Sequence, residues 1–114
     1  MVNNYREFLP YLHLRGSLVK SAAPYRRVRR DGRGGCQIDL LIQTERAVCI
    51  VEAKRMNRIS REIADEVDRK VNSISRRPGM TARTALVYDG ELMPGVESDG
   101  YFDAIVPFRS LLGL

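Results

Sequence analysis

The sequence predicts a single α/β domain in which helices pack on a mixed β-sheet, and three observations lead there. Two apolar, β-branched runs at 37–42 and 48–54 are separated only by Thr44-Glu45-Arg46-Ala47, the layout of a hairpin. Ile59, Ile63, Val67, Val71 and Ile74 then recur at helical spacing until Pro78-Gly79. A further strand pattern follows that helix, so the chain returns to the sheet by a crossover. At 114 residues there is material for one domain, 1–114, with one core.

The elements follow in order. Asn4-x-x-Glu7 resembles a capping box, and Tyr5, Phe8, Leu9 and Leu12 continue at helical spacing, so a first helix is expected over 4–18. Pro10 must kink it or open a second short helix. Ser21-Ala22-Ala23-Pro24 is read as its break, residues 25–30 as a strand, and Asp31-Gly32-Arg33-Gly34-Gly35 as a flexible connection. The hairpin comes next. Centring its turn between Glu45 and Arg46 pairs Gln43 with Val48, Leu41 with Ile50 and Asp39 with Glu52. Ser60 is the expected N-cap of the long helix, which stops near Arg77. Strands over 82–88, ended by Asp89-Gly90, and over 101–106 precede a terminal helical turn at 108–112.

Composition narrows the class. Hydrophobic residues make up 44% and charged residues 29%, an ordinary soluble balance. No apolar run approaches a membrane span, and the start lacks the layout of a secretory signal. Cys36 and Cys49 form neither a disulfide framework nor metal-ligand spacing, so a cytoplasmic protein with reduced thiols is expected. The net charge of +5 favours an anionic partner. Arg26, Arg27, Arg29, Arg30 and Arg33 cluster before the hairpin. Lys54, Arg55, Arg58, Arg61, Arg69, Lys70, Arg76 and Arg77 follow it, whereas 84–108 holds no Lys or Arg and five acids. A positive field around the hairpin suits a polyphosphate such as DNA.

The hairpin carries the chemistry. Directly opposed residues of an antiparallel pair share a face, and Lys54 follows Glu52 by two, so Asp39, Glu52 and Lys54 are expected on one patch of sheet. Like charges side by side at a half-buried position are costly without a cation, which points to a divalent-metal site with a lysine beside it. The plain alternative is an exposed face on which these charges simply pair. Gln37 is expected on the same face, near enough to bind a metal-held water. His13 reads as a helix-face residue, Cys49 as core on the face opposite Glu52, and Tyr25 as an aromatic turned to the core. The glycines at 32, 34 and 35 lack the context of a nucleotide-binding fingerprint, and there is no Walker lysine motif.

The stretch at 35–42 through 48–54 resembles the PD-(D/E)XK nuclease superfamily. It is most similar to the nuclease-like C-terminal domains of prokaryotic AAA-type ATPases, and also to archaeal Holliday-junction resolvases. The resemblance implies a restriction-endonuclease-like core of order αβββαβ, and Mg²⁺ or Mn²⁺ held by Asp39, Glu52 and the backbone carbonyl of Ala53. It implies Lys54 as the residue that positions or activates the attacking water. Glu7 matches a helix glutamate that completes the metal shell in many members; a capping role explains it equally. Lys70, with Arg69 behind it, matches a basic residue on the helix after the lysine strand, and a solvated helix face explains both as well. The implied activity is metal-dependent DNA hydrolysis, by a homodimer or by one part of an ATPase system. Two other readings stand beside it: a nuclease-like fold that only binds DNA or docks a partner, and an RNA-directed protein.

Overall fold

The computed structural model describes residues 19–27, 36–74 and 78–111. Five strands form one sheet: β1 (Val19–Arg27), β2 (Cys36–Thr44), β3 (Ala47–Ile59), β4 (Thr81–Leu92) and β5 (Ala104–Pro107). Helix α1 (Glu62–Ser73) bridges β3 and β4, and the short α2 (Phe108–Leu111) follows β5. Strand order equals chain order, β1-β2-β3-β4-β5. β1, β2 and β3 are antiparallel neighbours, while β3, β4 and β5 run parallel. The expected mixed α/β sheet is therefore present. The expected helix over 4–18 lies outside the described residues.

Each face of the sheet has its own core. Leu40, Ile42, Cys49, Val51, Ala85, Val87 and Val106 form one cluster. On the other face Ile38, Leu41, Val48, Ile50 and Leu86 meet Ile63, Val67 and Val71 of α1. The i, i+4, i+8 spacing of those three residues makes them one buried stripe, and each contributes about 1.5–3 kcal/mol on leaving water. Cys49 is core on the face away from α1, as its alternation implies, and burial pushes its thiol up to about 12. Tyr25 packs against the α1-side core, as expected.

Several boundaries move. Only Glu45 and Arg46 separate β2 from β3, because Thr44 Oγ1 accepts the Ala47 amide at 3.0 Å and closes a tighter turn. The segment read as a break, Ser21-Ala22-Ala23-Pro24, lies inside β1, an edge strand where proline is tolerated. Ser60 does not cap α1. Its carbonyl accepts the Ile63 amide at 3.1 Å, and the helix starts at Glu62 after Arg61 without a side-chain cap. Ile59 closes β3 and Ile74 lies past the helix, so neither belongs to the helical stripe. β4 does not stop at Asp89-Gly90. Gly90, at φ +142°, lets β3 approach so closely that a Cβ there would collide with the Met56 carbonyl, and pairing continues to Ile59–Leu92. The last strand begins three residues later than its expected start at 101.

Candidate active site at the end of the β2–β3 hairpin

The hairpin register is the expected one at Gln43–Val48 and Leu41–Ile50, and the ladder closes at Leu40–Val51. The next step would pair Asp39 with Glu52. Instead the Asp39 carboxylate enters the sheet, and its Oδ2 accepts the Ala53 amide at 2.9 Å. The cause lies in β2. Across from β1, Ala23 and Tyr25 are two residues apart while their partners Leu41 and Ile38 are three apart. One extra residue therefore bulges at Asp39-Leu40, and both Ile38 and Leu41 reach the α1-side core. A bulge re-aims side chains, and here it turns an aspartate toward β3. It also breaks the alternation expected to place Gln37 beside Glu52. Counted from Ile38, Gln37 falls on the reverse side, where it is exposed opposite Arg26.

β3 behaves as the spacing implies. Val48, Ile50, Glu52 and Lys54 alternate onto the face that α1 covers, and both charged members meet that helix. Glu52 is only 3% exposed. Lys70 Nζ donates to both of its oxygens, at 2.8 and 3.0 Å. Lys54 Nζ lies 4.0 Å from Glu52 Oε1 and donates to Glu66 Oε1 at 3.0 Å. Burial raises the Glu52 pKa above its ordinary value, the two bonds from Lys70 pull it back, the charge of Asp39 raises it and that of Lys54 lowers it. Asp39 thus acts on Glu52 electrostatically although the two are not ladder partners. Three carboxylates and two ammoniums converge, leaving one negative charge in excess.

Lys70 is brought to Glu52, whereas Arg69 is exposed on the helix. Glu66 was not singled out from the sequence. Its signal was there: Glu66 and Lys70 are four apart on one face of α1, one turn from the buried stripe. Glu7, Arg29, Arg30 and Arg33 lie outside the described residues, as does the side chain of Arg27. The basic stretch after the hairpin is less positive than its sequence. Arg61 binds Asp99 at 2.7 and 2.9 Å and Arg55 lies 3.5 Å from Asp89, so the acidic segment that looked separate folds back onto it.

The donors suit a hard cation in kind, since Asp39 and Glu52 supply carboxylate oxygens and Ala53 a carbonyl beside them. Among the described residues, no three Asp, Glu, His or Cys side chains form a ready metal shell. Both Glu52 oxygens are held by Lys70, so a cation binding there would compete with that ammonium. None of the helices described is long and apolar enough to cross a membrane. Comparison with known proteins found no matching family model, no matching curated protein and no matching solved structure.

Proposed function

We propose that this domain is a Mg²⁺- or Mn²⁺-dependent phosphodiesterase of PD-(D/E)XK type that cuts DNA by hydrolysis. One observation carries the reading: a carboxylate 3% exposed, Glu52, meets two lysines, beside an aspartate that a bulge has turned toward β3. A buried carboxylate is costly for a purely structural corner, whereas a perturbed carboxylate with adjacent ammoniums is what phosphoryl chemistry needs. Asp39, Glu52 and the Ala53 carbonyl would hold the cation. Bound there, it would polarise a phosphoryl oxygen and acidify water. Lys54, released from Glu66, would stabilise the charge that develops on the phosphate and orient the attacking water. Lys70 would leave Glu52 and face the same phosphate.

The test is a Mg²⁺ and Mn²⁺ titration over single-stranded, duplex and branched DNA, with RNA alongside. Wild-type protein is expected to release products only with metal, and Asp39→Ala and Lys54→Ala to release none while melting cooperatively. Full cleavage by Asp39→Ala ends the proposal. A second reading, a nuclease-like fold that binds DNA or a partner without turnover, draws on the double bond from Lys70 to Glu52, which neutralises the carboxylate without any metal. It predicts salt-sensitive DNA binding, or none, with no products at any metal concentration.

A further inference from the structure

β3, β4 and β5 lie side by side and parallel, and β3 and β4 run on past the end of β5 as far as Ile59 and Leu92. Where β5 ends, beside the middle of β3 and the latter half of β4, a cleft of about 700 Å³ opens, within the range of small-ligand sites. Lys54 and Arg55 line it from β3, Tyr88 and Asp89 from β4, and Phe108 and Arg109 from α2. We propose that this cleft holds one nucleotide of single-stranded DNA, its base against Phe108 and its phosphate toward Arg109 and Arg55.

The lining argues for that ligand. Phe108 is one of two large hydrophobic side chains exposed among the described residues, at 37%, and the residue lines the cleft. An aromatic face open to water beside cationic groups suits a base and its phosphate, and stacking is available only to a base that has lost its pairing partner. Arg109 has no ion-pair partner among the described residues. Arg55 and Asp89 are 3.5 Å apart with side chains 90% and 60% exposed, a pair weak enough for a phosphate to take the arginine. Lys54 lines the cleft and also belongs to the charge cluster, so a nucleotide here would neighbour the phosphate on which the proposed hydrolysis acts. That link rests on the nuclease reading; binding in the cleft does not require turnover.

Fluorescence anisotropy with a labelled oligothymidylate in EDTA tests it, since no cleavage proceeds there. Wild-type protein should bind, and Phe108→Ala should weaken binding about 5- to 150-fold, the loss of one aromatic–base stack. Phe108→Leu, which keeps the apolar bulk, should lose most of the same affinity and guards against a folding defect. Arg109→Ala should shallow the slope of log affinity against log salt by about 0.7, the value for one phosphate contact to a single strand. Arg61→Ala, in another corner, should bind as wild type. Equal binding by wild type, Phe108→Leu and Arg109→Ala overturns the proposal, as does absence of binding by the wild type. Metal-dependent cleavage with unaltered binding in both cleft variants would sink the cleft alone. Binding that depends on Phe108, without cleavage in any metal, would sink the nuclease reading and leave the cleft standing.

Discussion

Two ion pairs with nearly equal bond lengths sit in this domain. Lys70 holds Glu52 with bonds of 2.8 and 3.0 Å, and Arg61 holds Asp99 with bonds of 2.7 and 2.9 Å. Their settings are opposite: the first pair has side chains 19% and 4% exposed, the second 66% and 35%. Water screens the outer pair whether or not its partners meet. The inner pair has no such fallback, because removing either member leaves the other charge buried. Similar distances therefore say little about energetic weight, and the buried pair is the one whose loss should cost most.

The largest test of that contrast is Lys70→Met. It should destabilise the fold by about 3–5 kcal/mol near neutral pH, since Glu52 would lose the partner that offsets its burial. Urea unfolding measures the loss, and adding Glu52→Gln to Lys70→Met should restore most of it. An equal loss in the double variant would break the argument. In the same variant, isothermal titration should show tighter Mn²⁺ binding than in wild type, because the ammonium no longer competes for the Glu52 oxygens.

Second in size is a backbone effect near the outer pair. Gly95 sits at φ +98° with the Arg61 side chain against it, so Gly95→Ala should cost about 1–3 kcal/mol through backbone strain. Third is a slope against pH. The Glu52 pKa is raised in the folded state, so the folded protein binds a proton more readily than the unfolded chain. Stability from this group should then be fully present below its ordinary 4.5 and be lost as pH rises from there through the raised value. Glu52→Gln should lack that component, read by urea midpoints across the acid range. The smallest effect is expected from Arg61→Ala, whose melting temperature should barely move. A large drop there would show that the exposed clamp on Asp99 matters more than its setting implies.

Much of this site was legible because strand alternation and hairpin pairing are local rules. Leu41–Ile50 and Gln43–Val48 pair as counted, and Glu52 and Lys54 share the helix-facing side. What escaped depended on long-range packing. The bulge at Asp39-Leu40 answers to the register of β1, and no local pattern announces it. Gly90 looked like a strand terminator because its role, admitting the Met56 carbonyl, exists only once β3 and β4 are adjacent. The apparent separation of basic and acidic segments dissolved for the same reason: Asp89 and Asp99 return in space to Arg55 and Arg61.

The bulged aspartate also bears on how knockouts are interpreted. Its Oδ2 takes the place of a missing main-chain acceptor for the Ala53 amide, so Asp39→Ala removes a link between β2 and β3. A dead alanine variant would then conflate lost chemistry with a loosened hairpin. Asp39→Asn retains an oxygen for that amide while discarding the charge, and is the cleaner way to ask what the carboxylate itself contributes.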